Sequence, residues 1–265
     1  MGVNDIYIRD IFMTVGFILL GLIIVHYIVK WKWCKLVGII YRSHLLCFEA
    51  ECAYLSAPHK KYLFAPLNDA RSNDEILQYE KCIRVVEIGV RTGENIQYYP
   101  DGTHFVGVDL NRRLKEYLTR SDRAWQFSHI TIEKLIIGDG SSLKGIPNDC
   151  VDAVVTVRSL CSTSSIRSTL DEIQRVLAPG GKYFFLEHVP DKPGTLIRYI
   201  QRFLTKTRIW PSLYGDCRLD SNPINEIETT KFKDVIWKPI TLCGYVSQPY
   251  KLYLTRNHIM GTATK

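Results

Sequence analysis

Residues 83–95, IRVVEIGVRTGEN, decide the fold, because a short β-rich run passes directly into a turn that contains Gly89 and Gly93. Glycine lets the backbone bend sharply and come close to a ligand. A second β-rich run, VGVD at 106–109, ends in Asp109, twenty residues after Gly89. An acid at that position can accept hydrogen bonds from both hydroxyls of a ribose. The two glycines alone also fit an ordinary tight turn, but together with Asp109 they predict a nucleotide-type ligand.

From about residue 81, β-rich runs alternate with amphipathic helical runs. The clearest helix is 165–177, where Ile166, Leu170 and Ile173 share one face and a Pro-Gly-Gly run follows. Strands that alternate with helices form a mostly parallel sheet that helices cover on both faces, with ligands beyond the carboxyl ends of the strands. We therefore predict an α/β fold with a doubly wound, Rossmann-like sheet. The first five predicted strands are 83–88, 104–109, 131–137, 151–157 and 182–188.

The first thirty-five residues have a different character. Residues 11–29, IFMTVGFILLGLIIVHYIV, carry no formal charge, and Lys-Trp-Lys-Trp-Cys-Lys follows at 30–35. As a helix the apolar run would be about 28 Å long, close to the hydrocarbon thickness of a bilayer. Lysines and tryptophans at its end are typical of a cytosolic membrane boundary, whereas a cleaved signal peptide carries its positive charge in front. We expect a membrane-anchor helix, either spanning or monotopic, with the following residues in the cytosol.

Composition and charge fit a globular protein with a membrane partner. The chain is 46% hydrophobic and 23% charged, and its net charge is +7. The basic residues cluster behind the apolar run and again at 198–208, where they could meet phospholipid head groups or nucleic-acid phosphates. The eight cysteines show no C-x-x-C spacing and no pairing with histidine that is typical of zinc. We interpret them as reduced thiols of a cytosolic domain and expect no metal.

The loop after the first strand is not a dinucleotide fingerprint. Arg91 and Glu94 occupy the second and third glycine positions of G-x-G-x-x-G. Glu87, which opens the loop, is typical of methyltransferases instead, and so is the run Gly138-Asp139-Gly140 at the predicted exit of the third strand. There Asp139, or the backbone beside it, would hold the amino group of an adenine.

With these features the chain resembles class I S-adenosylmethionine-dependent methyltransferases. It is most similar to the small, membrane-anchored thiol S-methyltransferases of the endoplasmic reticulum and lipid droplets, over roughly residues 82–262. The resemblance implies a seven-stranded sheet with an antiparallel final pair, here 232–240 and 251–261, with a turn near Cys243-Gly244 and Pro249. The motifs that carry it are EIGVRTG at 87–93, VGVD at 106–109, VDAVVT at 151–156, LCS at 160–162, RVLAPGGKYFFLEHV at 175–189 and HIMG at 258–261.

The resemblance implies S-adenosylmethionine as the cofactor. The family's loop has glycine where this chain has Arg91, whose side chain could crowd the sulfonium or pair with the cofactor carboxylate. A catalytically silent membrane scaffold, in which Arg91 blocks the cofactor, therefore stays open as an alternative. The predicted cofactor-binding residues are Glu87, Gly89, Arg91, Gly93, Asp109, Asp139, Gly140 and Leu160.

The acceptor site is expected beyond the fourth and fifth strands. His188 is predicted to be catalytic, as a base that helps to ionise an acceptor thiol, although it could instead only shape the loop. A small thiol with a pKa of about 8.5 is only slightly ionised at neutral pH, so a base helps. Direct methyl transfer needs no covalent intermediate, so Cys161 is interpreted as a small wall residue. Trp210, Tyr214 and Asp216 are predicted to line the acceptor pocket.

We thus predict a membrane anchor at 1–35, a connector at 36–80 and a methyltransferase domain at 81–265, facing the cytosol from the reticulum or from a lipid droplet. The acceptor would be small and fairly apolar, and the resemblance favours a thiol. An O- or N-methyltransferase of a lipid-like metabolite is the alternative. Nucleic acid is not an expected substrate, because no N-P-P-[YW] motif is present. A basic amphipathic helix near 197–206 could contact phospholipid, or could be an ordinary surface helix.

Overall fold

The computed structural model describes residues 3–40, 46–119 and 124–265, and residues 41–45 of the predicted connector lie outside the described residues. The chain divides into two compact units, Met1–Cys47 and Phe48–Lys265. In the first unit the structure describes the helix α1 (Val3–Ile40) and the first two residues of α2 (Leu46–Phe64). The segment Phe12–Trp33 of α1 is long and apolar enough to cross a membrane, with a mean hydropathy of 2.4 and exposed side chains. Length and composition alone therefore suggest, but weakly, a membrane anchor.

The second unit is built around one seven-stranded sheet. Its strand order is β3-β2-β1-β4-β5-β7-β6. The first five strands pair in parallel, and β7 lies antiparallel to both β5 and β6. This confirms the predicted α/β sheet and its antiparallel final pair. The strands are β1 (Arg84–Ile88), β2 (Thr103–Asp109), β3 (Ile130–Ile137), β4 (Val151–Val157), β5 (Leu177–His188), β6 (Asp234–Thr241) and β7 (Asn257–Thr264).

Alternation along the strands sends successive side chains to two separate cores. Val86 of β1 packs with Leu170 and Ile173, on the face that α5 covers. Val85 packs on the other face with Phe64, which lies at the end of α2. The helix α2 therefore covers the sheet although it lies within the predicted connector. The helices of this unit are α2 (Leu46–Phe64), α3 (Glu75–Tyr79), α4 (Leu114–Leu118), α5 (Ile166–Val176), α6 (Leu196–Lys206), α7 (Ile209–Leu213), α8 (Ile224–Thr229) and α9 (Pro249–Thr255).

Two local predictions were wrong. Residues 251–255, predicted as the start of the last strand, belong to α9, because Pro249 lies at the first position of a helix and Leu252 is buried from it. The Pro-Gly-Gly run after α5 was expected to lie outside the fifth strand. It lies within β5 instead, and the pairing with β4 shifts register there, with Gly180 at a φ of +78°.

Candidate active site

The loop after β1 is fixed to the end of β2 by one carboxylate. Asp109 accepts a hydrogen bond from the Arg91 backbone N–H at 2.7 Å and another from the Asn111 N–H, also at 2.7 Å. Arg91 has a φ of +51°, in the left-handed region where glycine is favoured. Each oxygen of Asp109 uses one N–H and can accept a further hydrogen bond. The predicted ribose acceptor therefore also shapes the loop.

Gly89 and Gly93 stand where larger residues would collide. Both have positive φ angles, +81° and +73°. A Cβ added at Gly89 would lie 2.5 Å from the Cβ of Ser159, which follows β4. At Gly93 it would press against Leu118 and Phe127. The glycines thus allow the loop to lie directly against the end of β4.

Glu87 holds the loop from beneath. It is fully buried and accepts hydrogen bonds from Asn95 Nδ2 and from the Tyr99 hydroxyl, both at 2.7 Å. Burial raises its pKa to about 7, against the opposing effect of these two hydrogen bonds and of Lys60. The sequence predicted a residue that binds the cofactor. The observed contacts of Glu87 are all with side chains of the protein.

The exits of β3 and β4 are joined in a similar way. Asp139 accepts from the Ser141 hydroxyl at 2.6 Å and from the Ser164 N–H at 2.7 Å, just before α5. Burial pushes the pKa of Asp139 upward, but these hydrogen bonds outweigh it and hold the pKa well below its usual range. A Cβ added at Gly140 would lie 2.6 Å from Ile88, so this turn packs against β1. The carboxyl ends of neighbouring strands therefore form one continuous edge.

An open cleft lies above this edge. Three cationic residues line it: Lys60 of α2, Arg91 of the loop and Arg158, which follows β4. The Arg91 guanidinium donates to the Arg158 carbonyl oxygen at 2.6 Å, so its side chain reaches across to β4. Glu94 also lines the cleft. Cations and an acid beside Asp109 fit the carboxylate, ammonium and ribose groups of S-adenosylmethionine.

A compact cluster of Cys161, His188 and Cys217 lies beyond the ends of β4 and β5, where the acceptor site is predicted. Cys161 lies in a 3-10 turn after β4, His188 is the last residue of β5, and Cys217 follows α7. The two sulfur atoms are 3.5 Å apart, and the Cys217 sulfur is 3.3 Å from His188 Nε2. All three side chains are buried. The cluster is held in place because Glu187, next to His188, accepts from the N–H of Leu160 at 3.2 Å.

The cysteines of the cluster differ in acidity. The side-chain hydrogen bond with Cys217 lowers the pKa of Cys161 well below its ordinary value, with smaller contributions from His188 and Arg91. The same hydrogen bond, together with burial, raises the pKa of Cys217 well above its ordinary value. Cys161 is therefore the sulfur that more readily carries negative charge.

Of the other three residues predicted to line the acceptor pocket, two lie beside the cluster and one does not. Trp210 packs in the same apolar cluster as Cys161 and Cys217, and the Tyr214 ring lies 4.0 Å from it, centroid to centroid. Asp216 does not join them. Asp216 lies in a turn at the surface, with a φ of +59°. There its carboxylate pairs with Arg208 at 2.8 Å.

Sequence reasoning missed two residues of this edge. Cys217 was one of eight cysteines without a spacing pattern, and its contact with Cys161 joins positions that are 56 residues apart. Lys60 lay in a segment with weak periodicity, yet it is a buried lysine. No signal in a single sequence marks the first contact. No signal marks the second either, because the buried positions before Lys60 on α2 include the polar Ser56.

The chain is similar to proteins of known activity. A methyltransferase domain model matches residues 86–185. Thiol S-methyltransferase TMT1B of Rattus norvegicus is 33% identical over 208 residues, covering 78% of each chain. Thiol S-methyltransferase TMT1A of Homo sapiens is 28% identical over 183 residues, covering 69% of this chain and 71% of its own length.

Among solved structures, the geranyl diphosphate C-methyltransferase of Streptomyces coelicolor A3(2), bound to S-adenosyl-L-homocysteine, has a similar fold. Its TM-score is 0.54 at 12% identity, covering 78% of this chain and 75% of its own. The phosphoethanolamine N-methyltransferase 2 of Haemonchus contortus gives 0.51 at 16% identity, covering 69% and 49%. At these identities the likeness concerns the fold alone.

Replacing Glu87 should change how stability depends on pH. The folded chain keeps the Glu87 proton up to about pH 7, whereas the unfolded chain loses it near the ordinary glutamate pKa of 4.5. Between these values the folded state binds more protons, so the free energy of unfolding falls as pH rises. We expect Glu87→Gln to remove up to about 3 kcal/mol of this fall between pH 4.5 and 7. Urea unfolding of the full chain in detergent at several pH values measures it.

The exposed Glu116, changed to glutamine, is the matched control and should keep the wild-type dependence. An unchanged pH dependence in Glu87→Gln would show that the Glu87 carboxylate does not titrate in this range.

Proposed function

The chain belongs to the family of thiol S-methyltransferases that includes TMT1B and TMT1A, and on that premise we propose that its methyl acceptor is a small, fairly apolar thiol bound beside His188. It is an S-adenosylmethionine-dependent methyltransferase. The observation that carries the proposal is the buried cluster of Cys161, His188 and Cys217 at the ends of β4 and β5. The cluster adjoins the loop after β1, because the Arg91 guanidinium and the Cys161 sulfur both donate to the Arg158 carbonyl oxygen, at 2.6 and 3.6 Å.

The proposed cofactor site consists of the residues around the cleft. Asp109 accepts hydrogen bonds from the ribose hydroxyls, and Asp139 or the backbone beside it recognises the adenine. Arg91 pairs with the carboxylate of the cofactor, since its guanidinium already lies across the cleft. Gly89, Gly93 and Gly140 supply space for the ligand and for close packing of the turns.

The proposed chemistry is direct transfer to sulfur. S-adenosylmethionine supplies a methyl group on a positively charged sulfur. His188 helps to form the acceptor thiolate: its Nε2 faces Cys217, while its buried Nδ1 has no hydrogen-bond partner among the described residues. The acceptor proton passes to the imidazole and later to solvent. Trp210 and Leu219 exclude water, and a dry site favours the union of a thiolate with a cationic methyl donor because both products are neutral.

A direct assay tests the acceptor class. We expect the full-length protein to convert a small apolar thiol into its methyl thioether, detected by mass spectrometry, and to leave the matching alcohol and amine unmodified. His188→Gln should lower kcat by roughly 10²- to 10⁴-fold, the range for a lost acid–base catalyst. Methylation of the alcohol or the amine, with no thioether formed, would instead favour an O- or N-methyltransferase.

Calorimetric titration with S-adenosylmethionine tests the cofactor site. Asp109→Ala should weaken binding at least about tenfold, because it removes the acceptor of two hydrogen bonds. Arg91→Gly, which restores the family's residue, should weaken binding by about 1.5–3 kcal/mol if the guanidinium pairs with the cofactor carboxylate.

Asp101→Ala, at an exposed acid of the turn before β2, is the control and should bind normally. Wild-type affinity in Asp109→Ala would mean that the ribose site is misplaced. Tight binding that appears only in Arg91→Gly would restore the silent scaffold as the better account of the natural chain.

We also propose that the protein works on the cytosolic face of the reticulum membrane or of a lipid droplet. The apolar segment Phe12–Trp33 supports this, together with the lysines at its end. A second apolar surface lies on α6, where Leu196, Tyr199 and Phe203 are 74%, 61% and 60% exposed. They follow a helical spacing, beside the exposed basic residues Arg202 and Lys206.

The inner face of α6 is fixed by a polar residue. Gln201 is buried and hydrogen-bonds with the backbone of Asp191 and Leu254, whereas Ile200 is exposed. Polar Gln201 thus holds α6 to the domain, and the outward apolar residues remain available for phospholipid.

Vesicle flotation measures this contact. We expect the fragment Phe48–Lys265 to float with vesicles that contain anionic phospholipid, and the double change Tyr199→Ser with Phe203→Ser to reduce the bound fraction at least about tenfold. The reason is that each large side chain contributes roughly 1.5–3 kcal/mol when it leaves water. Tyr79→Ser, at an exposed tyrosine of α3, is the control. Equal flotation of all three proteins would mean that α6 is an ordinary surface helix.

A further inference from the structure

The spacing of the Cys161, His188 and Cys217 ligand atoms resembles that of a metal site. All three atoms lie within 4.8 Å of one another. The sulfur–sulfur distance is 3.5 Å and the distance from the Cys217 sulfur to His188 Nε2 is 3.3 Å. Around a tetrahedral zinc ion, with bonds of about 2.3 Å to sulfur and 2.0–2.1 Å to nitrogen, the corresponding distances are about 3.8 and 3.6 Å. For these two pairs a spread of about 0.3 Å would admit the ion. The third pair, the Cys161 sulfur and the His188 nitrogen, lies within 4.8 Å.

The three ligands come from segments that are tied together. Arg218, next to Cys217, donates its N–H to the Cys161 carbonyl at 3.1 Å. Its guanidinium donates to the Thr163 carbonyl at 3.0 Å. The loop that carries Cys217 is therefore fixed to the turn that carries Cys161, while His188 is fixed by the β5 ladder. A preorganised set loses little freedom when it binds an ion.

Burial and chemical type narrow the choice of ion. The residues that would bind the ion are almost fully buried: Cys161, His188 and Cys217 are 3%, 2% and 9% exposed. Two thiolates would balance the charge of a divalent ion in this apolar setting. Thiolate and imidazole ligands favour zinc over magnesium or calcium.

The three residues supply one ligand fewer than a structural zinc site has. Among the described residues, no fourth histidine, cysteine, aspartate or glutamate joins the group. Three protein ligands with one open position are typical of catalytic zinc sites, whereas structural sites have four. The open position would take water or a substrate.

We propose that Cys161, His188 and Cys217 bind a zinc ion whose open position takes the acceptor sulfur as a thiolate. This inference rests on the proposed function, since it assumes a thiol acceptor. Zinc binding releases the protons of the two cysteine thiols, and coordination of the acceptor releases its proton to solvent. The acceptor sulfur then forms its bond to the methyl group as the methyl–sulfonium bond breaks, and the neutral thioether leaves the ion. With the ion bound, His188 is a ligand, and zinc instead of His188 ionises the acceptor thiol. The sequence predicted no metal and a base at His188, so a bound ion would correct both expectations.

Metal binding can be measured without reference to activity. Full-length protein in detergent is stripped with a chelator and titrated with Zn²⁺ alone, or with Co²⁺, whose bonds to thiolate give strong near-ultraviolet absorption. We expect one ion per chain and a change in the cobalt spectrum on addition of a small thiol. Cys161→Ser and Cys217→Ser should each weaken binding at least tenfold while circular dichroism and S-adenosylmethionine binding stay normal.

Cys82→Ser is the matched control, because Cys82 belongs to the other described group of possible ligands, with Glu80 and His104. It should bind the ion as the wild type does. Loss of binding in this variant alone would overturn the proposed site.

The outcomes separate this inference from the proposed function. The zinc site would be overturned, and the thiol acceptor left intact, by two results together. Metal-free protein would form the thioether at an unchanged rate, and added cobalt would give no thiolate absorption. A second outcome would overturn the thiol acceptor and with it the role proposed for the ion. In that outcome one ion binds through Cys161 and Cys217, but added thiols do not change the cobalt spectrum and no thioether forms.

Discussion

One buried carboxylate determines where the acceptor side of the site lies. Glu187 accepts hydrogen bonds from the backbone N–H groups of Ser159 and Leu160, both at 3.2 Å, so it fixes the turn after β4 against the end of β5. Burial raises its pKa to about 7. Because Cys161 follows Leu160 and His188 follows Glu187, the same contact brings a thiol and an imidazole to one place. The β4–β5 ladder ends at Val157 and Leu186, so Glu187 positions the turn beyond the paired residues, where Cys217 meets both side chains.

A second buried carboxylate fixes the loop after β1, where the cofactor is proposed to bind. Glu87 holds Asn95 and Tyr99 below the loop, while Asp109 holds the loop from the neighbouring strand. Arg91 fits between these constraints because its backbone takes the left-handed conformation that glycine would take, and its guanidinium reaches the Arg158 carbonyl. The replacement of a glycine therefore leaves the path of the loop intact and changes the charge of the cleft.

Most of the sheet could be predicted because its signals are local. Each of the first five strands is a β-rich run, and the acids at their ends occupy positions that follow from strand length alone. The contact between Cys161 and Cys217 could not be predicted, since it depends on how the segment after α6 folds back over the strand ends. The predicted place of Asp216 in the acceptor pocket differs from the structure for the same reason. Its neighbour Cys217 turns inward, while Asp216 pairs with Arg208 at the surface. The predicted roles of the site residues remain predictions.

The position of α6 connects the membrane proposal with the acceptor proposal. Leu204 on its inner face packs against the apolar cluster that contains Cys161 and Cys217. Phe203, the adjacent residue, is exposed on the outer face. One helix therefore lies between the acceptor cluster and the surface proposed to meet phospholipid. An apolar thiol partitions into a bilayer, so a helix that contacts the bilayer on one side and the cluster on the other would shorten its path. A fairly apolar acceptor, a membrane anchor and an uncovered apolar face on α6 are thus mutually consistent.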